Sequence, residues 1–270
     1  MAAANDLRVG LIGSGNMASA MVEGWHRADP TMGERIVLTD RGSGRARALA
    51  ERVGATVADG NRELVGMVDL VIVCVKPIDI EDVLREVSDV VLPTHVVASV
   101  AAGVQIATME NLLDERVPVV RLMPNVPVKV NAGTLVFARG RATSETVEPA
   151  IATFEALGAL VELQERLFDA ATAVSGSGPA FFGLVVEAFE DAAIVSGLSA
   201  TTARELALTT MAGTAEMLAV EGLSCSELRR MVTSPGGTAS AGLAQLERSS
   251  VRGSIIDAVV AARDRARELG

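Results

Sequence analysis

Tyrosine is absent from this 270-residue sequence, and histidine and cysteine each occur only twice. The two histidines (His26 and His95) and two cysteines (Cys74 and Cys225) are spread along the chain and cannot supply a Cys/His metal cage, so we expect no metal site. Two lone cysteines also argue against a disulfide framework and favour a reducing, cytoplasmic location. The lack of tyrosine excludes a catalytic Tyr-x-x-x-Lys pair.

Basic residues are outnumbered, with 24 Lys and Arg against 34 Asp and Glu, and only 3% of residues are aromatic. Nucleic-acid binding needs basic patches and stacking platforms, so we expect no nucleic-acid partner. The uncharged stretches Val90–Met109 and Ala170–Val186 contain Pro, Gly and polar residues that interrupt a spanning helix, so we expect no membrane insertion. Met1–Asp6 lacks the basic start of a signal peptide. These features predict a compact soluble protein of one or two domains.

Short apolar runs alternate with amphipathic segments in the first part of the sequence. The runs are Arg8–Ile12, Arg35–Thr39, Asp69–Val75, His95–Val100 and Val117–Leu122, and the segments between them are Met17–Ala28, Gly44–Val53, Ile80–Val87 and Ile106–Leu113. Nearly continuous Val- and Ile-rich runs are typical of strands that are buried on both faces of a parallel sheet. We therefore predict an α/β fold, with a Rossmann-type, doubly wound sheet in residues 1–162 that binds a dinucleotide.

Helix signals dominate after Glu162, and we predict an all-helical dimerisation and substrate domain in residues 163–270. Pro179 and Gly197 bracket a segment that is apolar nearly all round, which predicts a helix buried on every side. Thr202–Glu205 fits a capping box that opens the next helix. So much apolar helix is hard to bury within one subunit, so we predict an extensive homodimer interface; the alternative is a self-contained helical domain.

A glycine loop joins the first predicted strand to the first predicted helix. Gly13, Gly15 and Ala18 fit the pattern G-x-G-x-x-A. In that pattern the first glycine allows a tight turn, the second lets the backbone approach a pyrophosphate, and the third small residue keeps helix and strand close. The helix N-terminus adds positive potential for the anion. The loop therefore predicts an NAD(P) site, with a plain tight turn as the alternative.

Opposite charges stand side by side at the end of the second predicted strand. An acidic residue in the position of Asp40 usually binds the ribose hydroxyls of NAD, whereas an arginine such as Arg41 accommodates the 2′-phosphate of NADP. Because Arg45 and Arg47 follow, the charge pattern favours NADP(H). The alternative is that Asp40 caps a turn and the arginines are solvated.

Candidate general acids are scarce. We expect His26 on the surface of the first helix and His95 at the start of a strand, away from the carboxyl edge where such sheets bind ligands. Lys76 lies at that edge, where it could contact a cofactor or hold an exposed turn. Two loops, Val174–Pro179 and Val232–Thr238, combine hydroxyls with glycines before a helix. The second suits a carboxylate ligand, although helix capping also explains both loops.

The sequence resembles the pyrroline-5-carboxylate reductase family over nearly its whole length. The resemblance is carried by Ile12–Met17, Val75–Pro77, Ala101–Gly103, Arg121–Pro127, Ser175–Ala180 and Met231–Gly237. The first segment is shared with many dehydrogenases, whereas the last two are specific to the family. The resemblance implies NAD(P)H-dependent reduction of a C=N bond that forms L-proline, the last step of proline biosynthesis. It also implies a homodimer through the helical domain, and pentamers of dimers are common in the family.

The resemblance implies site residues as well. Those expected to bind the cofactor are Ile12, Gly13, Ser14, Gly15, Asn16, Met17, Asn61, Cys74, Val75, Lys76, Pro77, Val100, Ala101 and Ala102, to which the charge pattern adds Arg41, with NADPH favoured over NADH. Those expected to bind the substrate are Ser234, Gly236, Gly237, Thr238 and Ala239, with Ser234 and Thr238 as the catalytic candidates. The ring nitrogen can arrive already protonated, so no strong acid is required.

The sequence departs from the family pattern near the expected substrate. Ala239 stands where the family usually has a threonine whose hydroxyl faces the ring nitrogen, and Leu223 stands where a glutamate is common. One lost hydrogen bond costs about 1 kcal/mol, which slows an enzyme without abolishing its activity. Two alternatives therefore remain open: a reductase of a related cyclic imino acid such as a piperideine carboxylate, and a non-catalytic NAD(P)-binding paralogue.

Overall fold

A computed structural model describes residues 7–141 and 144–268. The expectation about Met1–Asp6 lies outside these residues. The chain divides into two units, of which unit 1 comprises the chain up to Ser177 together with its end from Ala262, and unit 2 comprises Gly178–Ala261. The division at residues 162 and 163, which we drew from the change of sequence rhythm, stays a prediction.

Unit 1 contains an eight-stranded sheet within the described residues, with the order β3-β2-β1-β4-β5-β6-β7-β8. The strands are β1 Val9–Ile12, β2 Ile36–Thr39, β3 Thr56–Val57, β4 Leu70–Val73, β5 Val96–Ser99, β6 Val119–Met123, β7 Gly133–Arg139 and β8 Gly158–Glu162. β6 and β7 pair antiparallel, and the other neighbours pair parallel. The predicted α/β fold is confirmed, and each of the five predicted strands is present.

Three strands of the sheet were not predicted. β3 has only two residues, both exposed, so it carries no hydrophobic pattern. β7 and β8 each begin with a glycine, which in sequence suggests a loop. The structure shows why glycine is required there, because a Cβ on Gly158 would lie 2.0 Å from the carbonyl oxygen of Gly133. The two strands can start side by side only if neither carries a side chain at that point.

Helices cover both faces of the sheet. Those of unit 1 are α1 Asn16–Ala28, α2 Arg45–Val53, α3 Asn61–Val65, α4 Ile80–Val87, α5 Ile106–Glu110, α6 Ser144–Ala152 and α7 Phe168–Ala171. One core lies on the face that α1 and α2 cover and contains Trp25 and Leu49, and the other lies on the α3 and α4 face and contains Leu64 and Val83. Burial on both faces explains why β1, β2, β4 and β5 are apolar at nearly every position.

The backbone between β6 and β7 packs directly on α1. A Cβ on Gly24 would lie 2.2 Å from the carbonyl oxygen of Val128, so this contact requires glycine. Asn131, in the left-handed region at φ 60°, donates from Nδ2 to the carbonyl oxygens of Gly24 at 2.8 Å and Ala156 at 2.6 Å. One amide group therefore ties three segments of unit 1 together.

Unit 2 is helical. It contains α8 Gly178–Val195, α9 Ala200–Val220, α10 Cys225–Val232 and α11 Thr238–Arg248, and most of α12 Val251–Glu268. The predicted capping box at Thr202–Glu205 is wrong. α9 begins at Ala200, and the Oγ of Ser199 accepts a hydrogen bond from the N–H of Thr202. A capping box does form at α10, where Ser224 and Glu227 bond reciprocally.

Helix α8 is not buried on every side in the single chain, so that prediction is wrong for one protomer. Phe182, Leu184 and Phe189 are 62%, 67% and 60% exposed. Further large apolar side chains on α8 and α9 are exposed as well: Ile194, Val195, Leu206, Leu208, Met217 and Val220. Apolar surface of this extent marks an interaction site, which agrees with the predicted homodimer interface. Over the described ranges, no helix combines the length and apolar character of a membrane span.

We predict that Phe189→Asp weakens self-association. A charge replaces apolar surface that dimerisation would bury, so the dimer dissociation constant should rise at least tenfold, on the order of 1.4 kcal/mol. Sedimentation should show the wild type at twice the 28.0 kDa chain mass or a higher multiple, and a shift of the variant toward one chain mass. Leu92→Asp, which changes a 53% exposed leucine of unit 1, is the control and should leave the mass unaltered. A monomeric wild type at micromolar concentration would contradict the prediction.

Candidate active site

The glycine loop is tied to the strands on both sides of β1. The N–H of Gly13 and the hydroxyl of Ser14 donate to the carbonyl oxygen of Thr39, at 3.1 and 3.0 Å. On the other side, the N–H of Cys74 donates to the carbonyl oxygen of Ile12 at 2.8 Å. The carboxyl ends of β2, β1 and β4 are thus joined by hydrogen bonds into one edge.

The two glycines of the loop have different surroundings. Gly13 has φ +96°, and a Cβ there would lie 2.8 Å from the carbonyl oxygen of Cys74. Gly15 has φ −78°, and apart from Gly15 and its two chain neighbours no atom of the described residues lies within 4 Å of the place where its Cβ would be. Space is therefore open beside Gly15, where α1 begins and its first N–H groups lack helical partners. The loop Ile12–Met17 has the shape that a pyrophosphate requires.

Asp40 caps helix α2. Its Oδ1 accepts from the N–H of Gly42 at 2.9 Å, and its Oδ2 accepts from the Ser43 hydroxyl at 2.7 Å and from the N–H of Ala46 at 2.9 Å. The Ser43 hydroxyl, with the backbone donors, holds the pKa of this carboxyl below its usual value. Both carboxylate oxygens are thus engaged in a cap, which agrees with the second of the two interpretations of Asp40.

Arg41 and Asn61 lie at the same edge of the sheet. The guanidinium of Arg41 pairs with Asp79, with Nη1 and Oδ1 2.9 Å apart. The Thr39 hydroxyl donates to Oδ1 of Asn61 at 2.9 Å, and Nδ2 of Asn61 donates to Glu86 at 2.8 Å. Both predicted cofactor residues therefore lie beside the end of β2, and their contact with a cofactor stays a prediction.

An open cleft of about 930 Å³ lies between the segments that follow β4 and β5. Of the predicted cofactor residues, Lys76, Pro77 and Ala102 line it, together with Ile78 and Gly103. Its volume is in the range of small-molecule sites. The structure thus brings three of the seven cofactor residues predicted after these two strands to one cleft in unit 1.

The other predicted cofactor residues of these two segments are Cys74, Val75, Val100 and Ala101, which lie directly after the ends of β4 and β5. The N–H of Val100 donates to the carbonyl oxygen of Val73 at 3.2 Å, and the N–H of Ala101 donates to the Ser99 hydroxyl at 3.2 Å. Burial raises the pKa of the Cys74 thiol to about 12, so this thiol stays protonated and is not a nucleophile. Val75 is half-buried beside it.

One arrangement near the cleft was missed by sequence reasoning. Arg121, only 7% exposed on β6, donates from Nη1 to Oε1 of Glu165 at 2.9 Å. The same Glu165 oxygen accepts from the N–H of Ile106 at 2.8 Å, and the Arg121 guanidinium lies 4.6 Å from the centre of the Phe168 ring. This ion pair holds the start of α5, next to the Val100–Gly103 segment. The signal was a single arginine within an apolar run.

The predicted substrate loop forms a tight turn in unit 2. The N–H of Gly237 donates to the carbonyl oxygen of Ser234 at 3.0 Å, and Gly236 has φ +69°. Proline and then a positive φ are typical of a type II turn. Helix α11 begins directly afterwards at Thr238. Ser234, Gly236, Gly237, Thr238 and Ala239 thus lie together around the first N–H groups of an eleven-residue helix, which suits an anion.

Neither histidine has a position suited to catalysis. His95 precedes β5, at the amino edge of the sheet; its Nδ1 accepts from the N–H of Leu92 at 2.8 Å, and burial lowers its pKa. His26 is half-buried on α1 rather than a surface residue, so that prediction is wrong. Over the described ranges, no three His, Cys, Asp or Glu side chains are grouped as metal ligands.

Two family models and several relatives match this chain. Residues 165–269 match the model described as pyrroline-5-carboxylate reductase dimerisation, and residues 8–103 match the model described as NADP oxidoreductase, coenzyme F420-dependent. The chain is 37% identical to the pyrroline-5-carboxylate reductase of Methanosarcina acetivorans, over 97% of this chain and 98% of the relative. It is 39% identical to pyrroline-5-carboxylate reductase 3 of Macaca fascicularis, over 97% and 96% of the two chains.

Solved structures agree with the sequence relatives. The crystal structure of the Plasmodium falciparum pyrroline carboxylate reductase with NADP bound is 27% identical, with a TM-score of 0.87 over 98% of each chain. The Coxiella burnetii pyrroline-5-carboxylate reductase is 33% identical, with the same TM-score and coverage. The likeness extends over both units of the chain.

We predict opposite outcomes for alanine at the two glycines of the loop. Gly15→Ala should fold with an unchanged melting temperature, because its Cβ points into open space, but should weaken NADPH binding at least tenfold because that space is where the pyrophosphate would lie. Gly13→Ala, the matched variant, should lower the free energy of unfolding by about 2 kcal/mol because of its positive φ and the Cys74 carbonyl. Thermal unfolding and NADPH fluorescence titration measure both. Unweakened binding in Gly15→Ala would refute the assignment.

Proposed function

This chain belongs to the pyrroline-5-carboxylate reductase family, and from that premise we propose that it reduces pyrroline-5-carboxylate to L-proline with NADPH. The observation that carries the proposal is the turn Ser234–Gly237 at the start of α11, within the segment that matches the dimerisation model of the family. The glycine loop alone supports a wider range of dehydrogenases. The full-length relatives named above support the reductase in particular.

The cofactor, when bound, supplies the hydride that the imine carbon accepts. We assign its pyrophosphate to the loop Ile12–Met17, and its nicotinamide half to Cys74–Pro77 and Val100–Ala102, beside the cleft. Asn61 and Arg41 then lie at the adenosine half, and Arg41 provides the charge that a 2′-phosphate requires. NADPH is favoured over NADH because Asp40, the acid that could bind a free ribose, is already engaged in the α2 cap.

The substrate carboxylate is assigned to the N-terminus of α11. The N–H groups of Thr238 and Ala239 lie where an anion is stabilised by the helix, and the hydroxyls of Ser234 and Thr238 can orient the ring. The imine nitrogen can arrive protonated, so these groups bind and orient without transferring a proton. This role for backbone donors explains how a chain without tyrosine could perform the reaction.

We further propose that the helical part forms the homodimer, and that dimers assemble further, as in pentamers of dimers. The matched dimerisation model and the exposed apolar side chains of α8 and α9 support self-association. Proline biosynthesis in the cytoplasm is the physiological setting that we propose, from the family and from the two lone cysteines.

We predict that purified protein oxidises NADPH when pyrroline-5-carboxylate is added, faster than it oxidises NADH. The decrease of NADPH absorbance measures the rate, and a six-membered piperideine carboxylate tests the alternative substrate in the same assay. A higher kcat/KM for the six-membered ring would support the related reductase. Tight NADPH binding without turnover of either imine would support the non-catalytic paralogue and contradict the proposal.

We predict that Ala239→Thr raises kcat/KM for the imine about fivefold, because it restores a hydroxyl worth roughly 1 kcal/mol in one hydrogen bond. The matched control is Ala241→Thr, an exposed alanine two residues further along the same helix, which should leave the rate unaltered. Equal effects of both substitutions would mean that helix stability, and not the hydroxyl at residue 239, decides the rate. NADPH affinity should be the same in both variants.

A further inference from the structure

An ion pair spans the edge of the sheet at the adenosine end of the proposed cofactor site. Arg41 follows β2 and Asp79 follows β4, and β1 lies between these two strands. Adjacent strands are about 4.8 Å apart, so the ends of β2 and β4 are separated by about 10 Å. The ion pair therefore joins the segments that follow two strands which are not neighbours in the sheet.

Among the described residues the pair rests on one contact, and its arginine lies mostly in solvent. Nη1 of Arg41 and Oδ1 of Asp79 are 2.9 Å apart, while the Arg41 side chain is 68% exposed and that of Asp79 is 27% exposed. Exposed pairs of this kind contribute little to stability. A phosphate monoester, with nearly two charges and three acceptor oxygens, matches the fork of a guanidinium better than one carboxylate oxygen does. Arg41 is therefore held by a partner that a phosphate can displace.

Asp40, the residue before Arg41, does not compete for the Arg41 guanidinium. Both of its oxygens accept hydrogen bonds from the first turn of α2 and from the residues before it. Asp79 is different, because its side chain makes no capping bond to α4 within the described residues. Of these two acids beside Arg41, Asp79 is the one whose carboxylate is committed to the guanidinium.

We propose that Asp79 competes with the 2′-phosphate of NADP(H) for Arg41, and thereby limits how strongly the protein prefers NADPH over NADH. NADH has a hydroxyl in place of this phosphate, so it binds without taking Arg41 from Asp79. The inference rests on the proposed function in one respect, which is that the adenosine of the cofactor lies beside the end of β2.

The test measures binding without any imine, so it does not depend on turnover. Calorimetric titrations with NADPH, NADH, 2′,5′-ADP and 5′-AMP compare the wild type with Asp79→Asn. The dissociation constants of NADPH and 2′,5′-ADP should fall about twofold to fivefold, the range expected for loss of one exposed ion pair. Those of NADH and 5′-AMP should not change. Asp82→Asn removes the same charge from an exposed position in the first turn of α4 and is the control.

The same substitutions made in an Arg41→Met protein separate competition for Arg41 from a general effect of charge. In Arg41→Met, the substitution Asp79→Asn should have no effect beyond that of Asp82→Asn, because the residue for which Asp79 competes is gone. Equal tightening of all four ligands, no tightening of the phosphorylated pair, or a full effect of Asp79→Asn without Arg41 would each overturn the proposal. If these variants behave as expected while the imine is not reduced, the reductase proposal fails and the competition stands.

Discussion

The parallel pairing of β1 with β2 on one side and β4 on the other is the constraint on which the site in unit 1 depends. In this register Ile12 lies opposite both Thr39 and Val73, so the three strands end at one level. The carbonyl oxygen of Thr39 can then accept from both Gly13 and Ser14, while Cys74 donates to Ile12. A shift of one residue in either pairing would break these bonds and turn the side chains of that strand to the opposite face.

The net charge of −10 must coexist with an anionic cofactor and an anionic substrate in the proposed reaction. The N-termini of α1 and α11 each present free N–H groups, and these supply local positive potential for the two anions. Arg41 and Lys76 add formal charge beside the glycine loop and the cleft. Acidity elsewhere on the surface has little influence on these sites, since it is screened over about 10 Å at ordinary ionic strength.

Sequence reasoning was most successful where one pattern had one physical cause. Nearly continuous apolar runs, which are typical of strands buried on both faces, predicted the sheet. The glycine loop was placed correctly between the first strand and the first helix because only one order of glycines fits that turn. β7 and β8 were missed because Gly133 and Gly158 serve a close approach between strands that is invisible in sequence. The ion pair of Arg121 and Glu165 was missed because its partners are 44 residues apart.

The wrong predictions in the helical half have another cause. The apolar character of α8 is evident from the sequence, but periodicity does not distinguish burial within a protomer from burial by a second copy. Ser199 and Thr202 are separated by one helical turn, and both are residue types that cap helices, so propensity alone could not decide between them. Asp40 was ambiguous for a similar reason, since a carboxylate that caps a helix and one that binds a ribose look alike in sequence.

Helix α12 begins in unit 2 and ends in unit 1, where Arg267 lies 3.9 Å from Asp169. Unit 2 is therefore an insertion in the chain of unit 1, joined to it by two covalent connections rather than one. After a single proteolytic cut following Ser177, the fragment that carries unit 2 would also carry the unit 1 part of α12, so only the non-covalent packing of that part on unit 1 would hold the two fragments together. Exchange of the helical unit with that of a relative would accordingly need two splice points, one at Ser177 and one within α12.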